Sequence, residues 1–432
     1  MRVIVIGAGV SGLAAAKMLH EAGAQVTVLE ARQRIGGRIF TDHDTFGVPI
    51  EIGAQYIHGT HNEEGAVGPV WQMAQEQRWA TVPYSSDAAR VVHAGKIVSN
   101  ARQLRNRLEA FSEALEEAES EITLEDSVED AVSQYLQDEE ASDEMARELR
   151  AIVASEVGLE YAGDIDQIAI ENIGDEGGFS GGNHILTGGY EQVPKLLASE
   201  LPNVRLGEVV SVIDYNSAVC SVTTKSGQVY QAERILCTLP LGVLQSQSIT
   251  FNPGLPPAKI QAISRMGVGN LGKVILEFSE RFWPDDLNWL LGVKSAAPWG
   301  VAFSTLNRVI PGRHFLIMWH SGSLAQKREA LNDDAVIKIA LDELRTILAK
   351  PIPTPVKAKI TRWSRDPFSC GAYFYPKVNS PLTDIKELAR PVSNRLFFAG
   401  EATNAELFGT VHGAILSGRR EAAKIIDSSN SL

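Results

Sequence analysis

Arg2–Ala31 reads RVIVIGAGVSGLAAAKMLHEAGAQVTVLEA. Val3–Ile6 is a short β-branched run, the composition of a strand buried on both faces of a parallel sheet. Leu13–Leu19 has helical spacing, Gly23 closes that helix, and QVTVLE is a second strand. Between the first strand and the helix, Gly7, Gly9 and Gly12 form G-x-G-x-x-G, and Glu30 ends the second strand. In this pattern the first glycine makes the tight turn, the second lets backbone approach a pyrophosphate, and the third lets helix meet strand. The N–H groups of the helix start, at Val10 and Ser11, face the phosphates, and Glu30 accepts hydrogen bonds from a ribose. The expectation is an α/β chain with a Rossmann-like dinucleotide domain. The glycine motif by itself leaves FAD and NAD open.

The next segment, EARQRIGGRIFT (residues 30–41), favours FAD. Gly36 and Gly37 let the chain pass close to the pyrophosphate, Arg38 supplies a charge-assisted contact, and Arg32, just after Glu30, is counted among the cofactor-binding residues. Nicotinamide dehydrogenases do not usually continue this way, and a plain surface loop leaves the paired glycines unexplained.

At 432 residues the chain exceeds the span of one hydrophobic core, so two domains are expected. A net charge of -13 argues against a nucleic-acid surface and is compatible with a cationic partner. Cys220, Cys237 and Cys370 have neither metal-ligand spacing nor a disulfide framework, so no metal site is expected. No apolar run has the length of a membrane span, and cytoplasm is the expected location. The oligomeric state stays open.

Farther along, TKSGQVYQ (224–231) reads as a hairpin. RILCTLP (234–240) reads as a buried strand returning to the first sheet, and NRLFFAGEAT (394–403) as another, ending in glycine and acid. NLGKVILEF, RHFLIMWH and VKAKITRW read as strands of a second unit. Between residues 113 and 150 the chain is acidic with helical apolar spacing at Phe111, Leu115, Ile122, Val128, Val132 and Leu136, which reads as a solvated helical pair. An FAD-binding domain is therefore expected in three segments, 1–80, 200–265 and 385–432. Interleaved with it, an α+β substrate-binding domain is expected over 81–199 and 266–384, holding the acidic helical region 100–150.

Taken together, the first segment, EIGAQYIHG, TGGYEQVPKLL, TLPLGVL, GKVILEF, TRWSRDPFSCGAYFY and FAGEATNAELFGTVHGAILSGRREA span nearly the whole chain. In these motifs it resembles the flavin-containing amine oxidase superfamily, and within it the polyamine oxidase and lysine-specific histone demethylase branch. The resemblance implies that Val210 flanks the adenine and that Gly53, Ala54, Gln55 and Tyr56 hold the ring end of FAD. Gly400, Glu401, Thr410 and Val411 approach the ring end from the C-terminal side. Trp363 packs on the cofactor, and Lys273 holds a water against flavin N5. Tyr373 forms one wall of an aromatic cage for the substrate nitrogen, with Thr410 opposite. His58 lies near the substrate channel, while Glu160 and Asp164 match acids that bind distal ammonium groups; helix capping is the competing reading for Asp164. Ala372 stands where some relatives attach flavin covalently, so the cofactor is expected to be noncovalent.

The activity so implied is FAD-dependent oxidation of an amine, with a polyamine as the leading substrate. Hydride leaves the carbon next to nitrogen for flavin N5, water hydrolyses the imine, and O2 is reduced to H2O2. Oxidation of an amino acid or an aromatic monoamine is the alternative. Outside catalysis, the alternative is a flavin-binding redox sensor.

Overall fold

A computed structural model describes residues 1–62, 64–84, 90–93, 96–118, 122–173, 178–284, 286–292 and 301–430. Arg2–Ile6 is the middle strand of a five-stranded parallel sheet. The order is Val204–Leu206, Gln25–Glu30, Arg2–Ile6, Arg234–Cys237 and Leu396–Phe398. Successive side chains of a strand point to opposite faces. Accordingly Val3 and Val5 join Leu13, Leu19 and Ile415 in one core, while Ile4 and Ile6 join Ile213, Leu388 and Phe398 in another. With both faces covered, no position in the strand interior tolerates a polar residue, which is why the run reads as continuously apolar.

Helix Val10–Glu21 and the C-terminal helix Val411–Asn430 pack together on this sheet. Their approach depends on Gly418, where a Cβ would lie 2.1 Å from the Ser11 carbonyl oxygen. Beside it the Ser11 and Ser417 hydroxyls meet at 3.2 Å. The two ends of the chain thus share one helix interface. Helix Gln192–Ala198 also packs on Val10–Glu21, and Leu186, Tyr190, Val193 and Leu197 enter the same core. These residues lie before position 200, so the sheet-and-helix unit begins earlier than the expected boundary. Nothing local marks that boundary, because a short apolar helix looks the same on either side of a domain junction.

The second unit is a seven-stranded sheet, ordered Lys357–Ile360, Leu271–Phe278, His314–Ser321, Val301–Thr305, Trp289–Gly292, Arg90–His93 and Lys96–Asn100. Its neighbours are antiparallel except for Trp289–Gly292 beside Arg90–His93. Helix Asp333–Leu348 covers one face, with Val336, Ala340 and Leu344 against Val274, Leu276, Leu316 and Met318. The opposite face carries Ile275, Ile317 and Trp319 towards Ile50, Ile52 and Trp363.

The acidic region differs from the expected pair. It forms helices Ala101–Ala118 and Val128–Asp138, followed by a third, Asp143–Glu160, that runs past residue 150. Val128, Val132 and Leu136 are buried, while Ile122 lies in the connection before the second helix. The third helix continues because AIVAS keeps burying Ile152, Val153 and Ala154. That extension carries its last turn to the junction of the two units.

Candidate active site

A cavity of about 510 Å³ lies between the two units and is bordered by both chain ends. Its size is within the usual range of pockets for small ligands and cofactors, roughly 300–1,000 Å³. All the residues named above as cofactor or substrate contacts border it except Gly12 and Asp164.

Gly12 lies just behind the wall, where a Cβ would meet the Gly7 carbonyl oxygen at 2.1 Å and Thr238 Oγ1 at 2.9 Å. Thr238 belongs to the returning segment, and its hydroxyl donates to the Ile6 carbonyl at 2.8 Å. It props the glycine loop from below and was not singled out from sequence. Asp164 requires a correction. Its carboxylate oxygens accept the Ser323 N–H at 3.1 and 3.0 Å, in the first turn of helix Gly322–Glu329. The capping reading therefore describes Asp164, and it does not face the cavity.

At the nucleotide end, Glu30 is buried and accepts the N–H groups of Ala8 at 2.8 Å and Arg32 at 2.9 Å. Arg32 is held by Asp366 and Ser369, each at 2.8 Å. Arg38 bridges the two ends of the chain, donating to the Ala372 carbonyl at 2.7 Å and to Glu401 at 2.8 Å. Glu401 also accepts the N–H groups of Phe374 and Gly409.

Several features fit a bound dinucleotide. Helix Val10–Glu21 starts at Gly9 with no side-chain cap, leaving its positive end to the cavity. Added Cβ atoms at Gly9 and Gly400 would meet nothing within 4 Å, so both borders keep space where the cavity wall could have been filled. Gln55 Nε2 and the neighbouring Tyr56 hydroxyl are buried at the cavity wall without a protein hydrogen-bond partner, polar groups that a bound ligand could satisfy.

Lys273 also borders the cavity and is 3% exposed. Its strand is interior to the seven-stranded sheet, and register sets Lys273 opposite Trp319. The ammonium lies 4.6 Å from the Trp319 ring centre. It donates to the carbonyls of Glu51 at 3.0 Å and Gly53 at 2.8 Å, and to Gln55 Oε1 at 3.1 Å. Those three oxygens match the three N–H donors of an ammonium. The expected water contact therefore has a donor only if one of these bonds is exchanged, and Gln55, a rotatable side chain, is the partner that can give way. Burial pulls the Lys273 ammonium down to about 7, with Glu51 acting in the opposite direction.

Tyr373 and Tyr56 both border the cavity. The Tyr373 hydroxyl donates to the Leu159 carbonyl at 2.9 Å, which fixes its ring. Tyr56 belongs to an aromatic wall, with ring centres 5.4 Å from Tyr84 and 6.4 Å from Trp319. Trp289 extends it, 5.9 Å from Trp319. His58 sits at its edge, 6.0 Å from Tyr56. Thr410 accepts the Gly413 N–H at 3.0 Å and so caps the C-terminal helix at the cavity edge. Trp363 is anchored by its Nε1 to the Ile52 carbonyl at 3.2 Å.

Glu160 borders the cavity, and its charge adds to the burial that raises both the Tyr373 and the Tyr56 hydroxyl above the ordinary range. One helical turn earlier Glu156 also borders the cavity. Burial raises the Glu156 carboxyl above the ordinary range, and Glu160 adds to the rise. Sequence reasoning missed Glu156, Tyr84, Trp289 and Trp319. For Glu156 the signal was its spacing of four from Glu160; for the aromatic residues no local signal distinguishes a cavity wall from a core.

Comparison with known proteins supplies the family. The model for "flavin containing amine oxidoreductase" matches residues 10–426. "Probable polyamine oxidase 4" of Arabidopsis thaliana is 34% identical, covering 96% of this chain and 85% of the relative. "Lysine-specific histone demethylase 1 homolog 2" of the same organism is also 34% identical; the match covers 100% of this chain but 59% of the relative. A solved structure of a putrescine oxidase variant is similar in fold, with a TM-score of 0.80, 21% identity and 99% of each chain covered.

Proposed function

The chain belongs to the flavin-containing amine oxidoreductase family, and from that premise we propose that it is a polyamine oxidase that holds FAD noncovalently and reduces O2 to H2O2. The observation that carries the substrate assignment is the pair Glu156 and Glu160 beside an aromatic wall. Carboxylates in a confined cavity attract a second ammonium of the substrate, and ring faces accommodate a cationic nitrogen or its methylene chain. The arginines bordering the cavity among the described residues, Arg32 and Arg38, are bound to Asp366 and Glu401. Arg362, a candidate clamp for an amino-acid carboxylate, pairs with Asp333 and does not border the cavity. Homology to the polyamine oxidases supports the same substrate class.

FAD, when bound, supplies the acceptor for the hydride leaving the amine carbon and the route for those electrons to O2. The protein's part is placement and electrostatics. Gly7, Gly9, the uncapped helix start and Arg38 would hold the pyrophosphate, Glu30 the ribose, and Val210 the adenine. Glu401, Gly53 and Thr410 would meet the other half. Tyr373 and Tyr56 orient the substrate nitrogen, Lys273 sets a fixed cation at the ring end, and Glu160 with Glu156 holds the distal ammonium. Cys370 does not border the cavity, and Ala372, which does, offers no nucleophile, which supports noncovalent attachment. Acid precipitation is expected to leave flavin in the supernatant; a yellow pellet would refute that point.

The test is a peroxide-coupled screen across putrescine, spermidine, spermine, tryptamine and several α-amino acids. Turnover of the di- and polyamines is expected. Turnover confined to amino acids or tryptamine would establish the alternative, and flavin that no amine reduces would favour a sensor. Glu160→Gln is expected to raise KM for a diamine about 30-fold while changing kcat little, since truncating a confined charge pair costs about 2 kcal/mol or more. A bound cation also favours ionised Glu156, so a proton leaves on binding and affinity weakens as pH falls. That pH dependence should flatten in Glu156→Gln.

A further inference from the structure

The three oxygens around the Lys273 ammonium belong to one short turn, Glu51 to Gln55, that enters from the first unit. What fixes this turn is the side chain of Glu51 itself. Glu51 is 7% exposed, and its carboxylate accepts the Tyr190 N–H at 2.8 Å and the Thr41 hydroxyl at 3.0 Å. Thr41 also faces Glu51 across the two-residue ladder Thr41–Asp42 with Ile50–Glu51. None of Glu51, Thr41 and Tyr190 borders the cavity, so this carboxylate is outside the machinery assigned above.

A carboxylate in this position is costly unless it is paired, and its hydrogen-bond donors, a backbone amide and a hydroxyl, are both neutral. We propose that Glu51 is a positioning residue for the oxidation: clamped by Tyr190 and Thr41, it shapes the Glu51–Gln55 turn around Lys273 and supplies the counter-charge that keeps that lysine an ammonium at the cavity wall. This role rests on the amine oxidase reading of the cavity and adds to it a residue that touches neither substrate nor cofactor.

The charges around the pair are few. Lys273 is the cation acting on Glu51, Glu191 is a like charge beside it, and Glu51 is the group acting on Lys273. Burial drives the Glu51 carboxyl up to about 7, opposed by the Tyr190 N–H and by Lys273. Burial pulls Lys273 the other way, also to about 7. Desolvation thus favours two neutral groups, whereas mutual attraction favours two ions. The geometry favours the ions: a neutral amine has two N–H donors for the three oxygens at 2.8–3.1 Å, whereas the ammonium can donate to all three.

The experiment is a pH titration of the flavin absorbance of full-length holoprotein. In the parent, a midpoint reports the Lys273 charge, and Lys273→Met removes it. Glu51→Gln keeps the acceptor oxygen and loses the charge, so the midpoint should fall by about one to three pH units, the usual influence of a close opposite charge. Glu51→Asp should return it towards the parent value. An unchanged midpoint in Glu51→Gln, with the transition absent in Lys273→Met, overturns the proposal and leaves the cavity reading intact. A transition that survives Lys273→Met means the flavin does not sense this lysine, which overturns both. A second readout needs no flavin. In urea unfolding, Glu51→Gln and Lys273→Met should each destabilise, and the double variant should lose less than their sum; additive losses overturn the pairing. If Glu51→Gln does not fold, recovery of folding in the double variant supports the pair, and continued failure overturns it.

Discussion

Replacing Lys273 with methionine is expected to slow substrate-driven bleaching of the flavin about 100-fold, while substrate Kd changes by less than about threefold. The reason is local. The lysine is fixed by the oxygens of Glu51, Gly53 and Gln55 and lies over the Trp319 ring, and it borders the cavity. A cation held there acts on charge that develops at the reacting end, and fixed charges act most strongly where water is excluded. In the proposed function the distal ammonium is held elsewhere, by Glu160 and Glu156, so binding is expected to be largely spared. Methionine fills a similar volume, and the fold should survive with some loss because three oxygens lose their donor. Rapid-mixing absorbance checks this directly: unchanged rates of bleaching and recovery would remove Lys273 from the reaction.

The second large effect concerns the glycine loop, and it separates two kinds of glycine. Gly12→Ala would drive a Cβ to 2.1 Å from the Gly7 carbonyl oxygen, a contact between two backbone segments that cannot rotate away. The helix must shift from the strand, and the protein is expected to lose both flavin and stability, by about 1–3 kcal/mol or more. Gly9→Val meets nothing within 4 Å of its Cβ in the protein alone. It should unfold like the parent when flavin-free yet bind flavin at least about tenfold more weakly, because the added side chain enters space the cofactor needs. Flavin retention on a desalting column and urea unfolding of the flavin-free proteins distinguish the two. A Gly9→Val protein that retains flavin as the parent does would remove the pyrophosphate from that position.

Family membership settles the kind of flavin chemistry and leaves the substrate to the cavity. The same catalytic end could serve a small amine, a polyamine or a longer ligand, since the roles proposed for Lys273 and Tyr373 concern only the reacting carbon. In the proposed function, discrimination falls to the groups that would meet the rest of the ligand, namely Glu156, Glu160 and the Tyr56, Tyr84, Trp289 and Trp319 wall, all of which border the cavity. The curated demethylase relatives are longer proteins, of which this chain covers 59% in one case. The polyamine oxidase relatives are covered at 85% and 86%.

The dinucleotide unit was legible from residues 2–41, because its requirements are local. A strand buried on both faces demands an unbroken apolar run, and a turn against a pyrophosphate demands glycine at set intervals, so composition and spacing carry the message directly. The return of Arg234–Cys237 and Leu396–Phe398 to the same sheet was legible for the same reason. Asp164 was ambiguous, as an acid near a helix end reads alike whether it caps a neighbour or faces a ligand; only the position of Ser323 resolved it. Trp319 became a neighbour of Lys273 through antiparallel register across two strands more than forty positions apart, and Glu51 became its counter-charge through a turn contributed by the other unit. Such pairings depend on which surfaces meet after the sheets have formed. Residue spacing along the chain cannot encode them, because the distances that matter run between segments whose separation is set by packing.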